Sequence, residues 1–149
     1  MISYRFEPGP IHLVRLNTGK DLLDGITEYA TNAGIESAWL TYLGAVSRTS
    51  LRYYDQDDRV YRDFELDQHL EVLSGVGNVS LLDATPFVHT HAAFADAAGN
   101  AVGGHLNSGT TVWALEVRIQ ELIGEPLVRQ PDDCTSLNLW GGTLQESGG

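Results

Sequence analysis

The feature that most constrains this chain is a series of strand-like segments that follows a single segment with helical spacing. Residues 37–55, 59–83, 86–95 and 110–124 either alternate apolar and polar residues or are rich in β-branched and aromatic ones. Glycine, asparagine and aspartate clusters separate them as turn signals. Because one helix precedes mostly strands, we expect an α+β domain around a largely antiparallel sheet of about six to eight strands.

The helical segment lies near the start of the chain. Its apolar residues recur at the spacing of one helix face, namely Leu22, Leu23, Ile26, Tyr29 and Ala30. The pattern predicts a helix over about residues 19–33, capped at its start by Asn17 or Thr18 and ended by Gly34. The segment that follows contains Gly44, so it predicts either two strands or one long strand bent at the glycine.

Length and composition indicate one domain. A chain of 149 residues can bury a core of its own, and its apolar residues are spread along the whole length. We expect this domain to span residues 1–143, with a flexible C-terminal tail over residues 144–149.

The acidity of the chain restricts its partners. With 20 acidic and 9 basic residues the net charge is −11, whereas nucleic-acid binders draw affinity from cationic contacts to phosphate. DNA binding by the isolated chain is therefore disfavoured. No signal peptide and no apolar segment long enough for a bilayer is found, so we expect a cytoplasmic protein without a membrane partner. The single cysteine, Cys134, follows two acids that disfavour its thiolate.

Three of the five histidines lie within residues 89–105. His89 and His91 are two residues apart, and on a strand such residues share a face with Cα atoms about 6.6 Å apart, so both rings can reach one ion. If residues 96–100 close a hairpin, His105 lies opposite His91 on the same face. A loop one residue longer would turn His105 away. The spacing alone also allows a merely polar strand surface, or His69 or His12 as the third ligand.

Two acids stand among apolar residues in predicted strands. Glu71 and Glu116 could each orient a ligand histidine or act as a general base, and they are the candidate catalytic residues. The alternative is a salt bridge across the sheet to Arg48, Arg52 or Arg118, which would make both carboxylates structural.

Three motifs carry a resemblance to a known family. The stretches "LEVLSGVGNVSL", "FVHTHAAFADAAGNAVGGHL" and "GTTVWALEVRI", in that order, resemble the PPC domain (plant and prokaryote conserved domain) in its bacterial and archaeal form. The resemblance extends upstream and covers about residues 4–140. It implies a mixed, mainly antiparallel sheet with one long N-terminal helix and one or two short helices, similar in architecture to acetolactate decarboxylase.

The resemblance also bears on the site and on assembly. It implies a homotrimer, and it implies that His89, His91 and His105 ligate Zn²⁺ or another divalent transition metal. Plant relatives carry the domain beside AT-hooks, but this chain has no Arg-Gly-Arg-Pro stretch.

Two functions follow as hypotheses. The first is a metal site that binds or transforms a small carbonyl or carboxylate ligand and, if it is an enzyme, is of lyase or hydrolase type. The second is a non-catalytic homotrimeric interaction module, linked to transcription or to DNA-binding partners.

Overall fold

The computed structural model describes residues 2–141. Its elements follow one another as β1 (Glu7–Leu16), α1 (Leu22–Ala33), β2 (Ala38–Asp55), β3 (Val60–Leu66), β4 (Leu70–Leu82), β5 (Thr85–Ala95), β6 (Ala101–Leu106), β7 (Thr111–Ile123), β8 (Arg129–Asp132) and β9 (Leu137–Trp140). The predicted domain end at residue 143 and the predicted tail lie outside the described residues.

Seven strands form the main sheet, in the order β1-β7-β2-β4-β5-β6, with β3 paired to β2. Every strand pairing in it is antiparallel, so the expectation of a mixed sheet is wrong. Strands β8 and β9 form a separate two-stranded hairpin.

The long strand β2 organises the sheet. Its first half pairs with β7 and β4, and its second half pairs with β3 and, at two positions, with β6. Of the two alternatives for this segment, the structure therefore shows one long strand. Gly44 lies at the register shift with φ near 143°, and a Cβ there would lie 2.1 Å from the carbonyl oxygen of Ala114, so the irregular pairing requires glycine. Because β2 also pairs with β6, the strands β2, β4, β5 and β6 close into a ring.

The helix is shorter than the sequence predicted. It begins at Leu22 and not near residue 19, and α1 is the only helix among residues 2–141, so the expected long helix with one or two short companions is wrong. The residues before it form a turn in which Gly19 has φ 82° and bonds to the start of β7. Asp21 is the N-cap, since its carboxylate accepts from the Asp24 amide, in place of Asn17 or Thr18. The predicted end is confirmed, because Gly34 forms a left-handed C-cap.

The core lies between α1 and one face of the sheet. Alternate residues of β5, namely Val88, Thr90, Ala92 and Phe94, are buried on that face, and they join Leu22, Ile26 and Ala30 of the helix in the protein interior. The residues between them on β5, including His89 and His91, therefore project from the opposite face. That second face carries the candidate site.

Crossing a membrane would require a longer and more apolar helix than α1, the one helix in the described part of the chain.

Candidate functional site

Three histidine side chains converge on the sheet face opposite the helix. His89 and His91 belong to β5, and His105 lies directly across from His91 on β6. The nearest ring nitrogens of His89 and His91 are 3.2 Å apart, and one nitrogen of each ring lies within 4.8 Å of the others. The structure thus brings together the three predicted ligands from two neighbouring strands.

The β5–β6 turn fixes this register. The Asp96 carboxylate accepts hydrogen bonds from the amides of Ala98 and Asn100 and from the Asn100 side chain, and Gly99 provides a positive φ of 80°. The loop therefore closes at the Ala95–Ala101 pair, and counting back along both strands places His105 opposite His91. The register that the sequence predicted for a five-residue loop is confirmed.

Strand β6 pairs with a neighbouring strand on each of its two edges. A Cβ at Gly103 would lie 2.6 Å from the Ala92 carbonyl oxygen, so glycine permits the close approach of β6 to β5. On its other edge β6 pairs with β2, where His105 is the partner of Arg52. The backbone at His105 is consequently held between two strands.

The donor set fits a divalent transition metal. Two nitrogens bound to a tetrahedral zinc are about 3.3 Å apart, close to the separation seen for His89 and His91. Burial, with the nearby Arg129 charge and neighbouring histidine as smaller causes, lowers the pKa of His89 to about 4. Burial followed by the charges of His89 and His91 lowers the pKa of His105 to about 4 as well. Both rings are neutral at pH 7, which is the form that binds metal.

A cavity of about 640 Å³ opens beside the histidines. Its walls come from β2, β3, β5 and β6 and from the β8–β9 hairpin, which covers the same face. Its aromatic and aliphatic members are Tyr53, Tyr54, Tyr61, Phe64, Phe87, Leu137 and Leu139. Two arginines line it but no carboxylate does, which is notable in a chain with 20 acids. The lining itself therefore carries positive side chains and no negative one, although the net charge of the chain is negative.

Arg129, at the start of β8, lies against the histidine row. Its Nε donates to the Ser80 hydroxyl at 2.8 Å, and one terminal nitrogen donates to Asn78 Oδ1 at 3.0 Å while approaching His89 Nδ1 at 3.4 Å. Asn78 and Ser80 are buried polar residues of β4, and Asn78 is the cross-strand neighbour of His89. The guanidinium thus satisfies buried polar groups and at the same time borders the site.

The second arginine has a different environment. Arg52 forms a two-pronged ion pair with Asp63 on β3, with both donor–acceptor distances at 3.0 Å. Its guanidinium also lies over the Tyr61 ring, which in turn is 5.3 Å from the His105 ring. Arg52 and Tyr61 form the wall beside His105, and the charge of Arg52 is already neutralised.

The two candidate acids lie away from this cavity. Glu71 and Glu116 are exposed on β4 and β7, and neither lines the histidine pocket. The arginines offered as their partners bond elsewhere, Arg48 to Glu65, Arg52 to Asp63 and Arg118 to Gln120. Glu116 instead lines a second cavity, whose walls come from β1, β2, β4 and β7.

The other two histidines have partners of their own. His12 lies on the helix side of the sheet, bonded to the Tyr29 hydroxyl at 2.9 Å and to Glu121 at 2.6 Å. His69 is exposed and stacks on Trp113 with ring centroids 5.8 Å apart. Neither contributes to the histidine cluster.

Sequence reasoning missed Arg129, Asn78, Ser80 and Tyr61. A signal existed for two of them, because Asn78 and Ser80 are alternate polar residues in the otherwise apolar run of residues 75–82 and so share one face. Nothing local marked Arg129, which lies forty residues from His89 in sequence and reaches it only through the placement of the hairpin.

The chain was compared with known families and structures. The model of the Plants and Prokaryotes Conserved (PCC) domain matches residues 4–123. A crystal structure of a protein from Archaeoglobus fulgidus described as metal-containing is 41% identical, with TM-score 0.91, and the match covers 95% of this chain and all of that one. A plant- and prokaryote-conserved protein from Pyrococcus horikoshii is 33% identical with TM-score 0.90, covering 96% and 99% of the two chains.

Two other similarities are partial. The bifunctional protein GlmU of Synechococcus sp. is 30% identical over 127 residues, which are 84% of this chain, and this chain spans about a fifth (19%) of that protein's length. Acetolactate decarboxylase from Bacillus subtilis shares the fold at 15% identity and TM-score 0.53, with 88% of this chain and 59% of the other covered. The resemblance drawn from the sequence motifs is confirmed, and the chain belongs to the Plants and Prokaryotes Conserved domain family.

Proposed function

We propose that this protein binds a divalent transition metal, with zinc as the first choice, through His89, His91 and His105. We also propose that the metal site binds a small carbonyl or carboxylate ligand. The observation that carries the proposal is the convergence of three imidazoles within 4.8 Å beside a cavity whose lining contains no carboxylate. The description of the Archaeoglobus fulgidus relative as metal-containing supports it.

The chemistry of the donor set narrows the role. Three histidine ligands without a carboxylate or thiolate are typical of catalytic zinc, whereas structural zinc is usually held by four protein ligands that include cysteine. A metal so held would supply Lewis acidity toward a carbonyl or carboxylate oxygen. The chain itself contributes the orientation of the three rings, the cover provided by the hairpin and a lining that carries arginine but no carboxylate. If the protein is an enzyme, we propose a lyase or hydrolase type of reaction.

The proposal assigns no general base to the cavity. Glu71 and Glu116 are the candidate acids from the sequence. Neither lines the pocket, and we assign neither of them a step in it. The hydroxyl groups that border the cavity come from Tyr53, Tyr54, Tyr61 and Ser136. Among them, burial raises the pKa of Tyr61, and its hydroxyl can donate a hydrogen bond to a ligand.

Elemental analysis of the untagged protein tests the metal site. We expect about one zinc per chain in wild type and none in His91→Ala, with His69→Ala as the matched control because His69 is also exposed but lies outside the cluster. Wild type that neither contains nor binds a stoichiometric metal would refute the proposal.

A second candidate function has its own support. Large apolar side chains are exposed on the sheet face that carries the histidines, and Leu13 reaches 81% exposure beside Leu43, Trp39 and Val76. Cross-strand pairing places Leu13, Arg118, Thr41, Val76, His91 and His105 in one row across the sheet. Exposed apolar surface of this kind is typical of subunit interfaces.

We therefore also propose that this face is covered by other copies of the chain in a homotrimer, the assembly implied for the family. The non-catalytic form of this hypothesis holds that the assembly serves protein interaction and that any metal is structural. Sedimentation of wild type and Leu13→Asp tests the assembly, with a trimer expected for the first and smaller species for the second. A monomeric wild type would contradict it. Metal removal that lowers stability without changing the binding of any small carboxylate would favour the non-catalytic form.

A further inference from the structure

The Arg129 guanidinium is buried without an acidic partner among the described residues. Its residue is only 8% exposed, and its three closest hydrogen bonds go to neutral acceptors, at Ser80, Asn78 and the carbonyl of Asn138. No carboxylate of residues 2–141 forms an ion pair with it. Buried charges in proteins are ordinarily paired with an opposite charge.

The nearby cavity supplies no counterion from the protein. The only other arginine that lines it, Arg52, is already neutralised by Asp63, and the lining contains no aspartate or glutamate. The face of the Arg129 guanidinium packs between two aromatic rings, with its Cζ 5.1 Å from the centroid of Phe87 and 5.9 Å from that of Trp140. Those rings fix the plane of the guanidinium without removing its net charge.

The guanidinium also retains capacity to donate. It has five N–H groups, of which three make the bonds to Ser80, Asn78 and Asn138, and a fourth approaches His89 Nδ1 at the long distance of 3.4 Å. At least one N–H therefore remains for an acceptor from outside the chain. A planar guanidinium held rigidly in this way is suited to bind a carboxylate.

The other residues that line the cavity indicate the chemistry of the rest of the ligand. Phe64, Phe87, Tyr61, Leu137 and Leu139 present rings and aliphatic groups to the cavity. A ligand that matches both parts carries one negative group and an apolar or aromatic body. A carboxylate is favoured over a phosphate because one unpaired guanidinium matches a single charge and most of the lining is apolar.

We propose that Arg129 is the anion-binding residue of the histidine pocket and that it selects small carboxylates with an apolar or aromatic body. This inference rests on the proposed function, since it names the ligand class of the same pocket. Arg129 acts here as a specificity residue, and its contribution does not require the metal to be present.

Isothermal titration calorimetry with phenylacetate and its neutral analogue phenylacetamide tests the proposal, using the zinc-loaded and the metal-free full chain. We expect wild type to bind the acid at least about tenfold more tightly than the amide in both forms. In the metal-free form Arg129→Gln is expected to lose that preference, whereas in the zinc-loaded form the charge of the ion would retain part of it. The matched control is Arg5→Gln, which makes the same change in net charge at an exposed position outside the histidine pocket, and which is expected to keep the preference within about threefold.

Three results would overturn the proposal. Equal affinity of wild type for the acid and the amide would do so. An equal loss of the preference in R129Q and R5Q would do so as well, because the net charge of the protein would then explain the preference. Inorganic phosphate binding more tightly than phenylacetate would refute the carboxylate assignment. If R129Q does not fold, the Nε–H signal of Arg129 in the nitrogen-15 spectrum of wild type decides instead, since it is expected to shift with phenylacetate and to stay unchanged with phenylacetamide.

The failure of this proposal can be told from failure of the metal site. Wild type without zinc but with an Arg129-dependent preference for phenylacetate would refute the metal proposal and support the anion site. One zinc per chain with no preference for phenylacetate would do the reverse.

Discussion

Zinc should stabilise the wild-type protein and leave His91→Ala unaffected. His91 is exposed, so its replacement removes a metal ligand without opening a cavity, and the metal-free variant should unfold within about 0.5 kcal/mol of the metal-free wild type. A ligand that binds only the folded state contributes about 2.7 kcal/mol at one hundred times its Kd. For a chain of this size that corresponds to a rise in Tm of about 5–10 °C.

Thermal unfolding followed by circular dichroism, with and without zinc, measures this difference. His69→Ala is the matched control, because it removes another exposed histidine and should keep the full zinc-dependent rise. An equal rise in wild type and His91→Ala would show that zinc binds elsewhere, and the assignment of the three histidines would then be wrong. A large loss of stability in metal-free His91→Ala would show instead that the ring is structural.

Three further outcomes are expected. In the metal-free protein His89 and His105 should titrate near pH 4 by NMR. The unfolded chain takes up these protons near pH 6.5. The free energy of unfolding, measured by urea titration, should therefore fall as the pH is lowered from about 6.5 to 4. Gly103→Ala should lower zinc affinity and Tm more than Gly104→Ala. The added Cβ would lie 2.6 Å from a β5 carbonyl oxygen in the first variant and 3.2 Å from a β2 carbonyl oxygen in the second. Calorimetry of both variants checks the order. Phe94→Ala should cost about 3–5 kcal/mol in chemical unfolding while zinc stoichiometry stays unchanged, since Phe94 is fully buried on the helix side of the sheet.

The histidine cluster was within reach of sequence reasoning because its determinants are local. The period of a strand puts His89 and His91 on one face, and the loop length then decides whether His105 joins them. What the sequence left open was the loop itself, and the Asp96 carboxylate with Gly99 settles it by closing a five-residue turn. The hydrogen bonds within the turn thus determine which residues of β5 and β6 lie opposite each other.

The errors came from contacts between distant segments. Helical spacing begins at Leu22, but Asn17 and Thr18 are residues that can cap a helix, and the start predicted from them near residue 19 is too early. In the structure those residues bond to β7, where the amide of Gly19 meets the carbonyl of Val112, and this pairing competes successfully with another helical turn. Periodicity cannot report such a contact because it carries no information about which distant strand lies alongside.

The site joins residues that lie inside the matched family model to residues that lie beyond it. The histidines lie in β5 and β6, inside residues 4–123 that match the family model, whereas Arg129 and the β8–β9 hairpin lie beyond it. The hairpin packs on the main sheet through the Leu81–Leu127 backbone bond and the contacts of Arg129 with β4. A relative can therefore keep the metal ligands while its hairpin presents different side chains to the cavity. Selectivity for the ligand should follow the residues of the hairpin, and Arg129 is the position at which to compare relatives first.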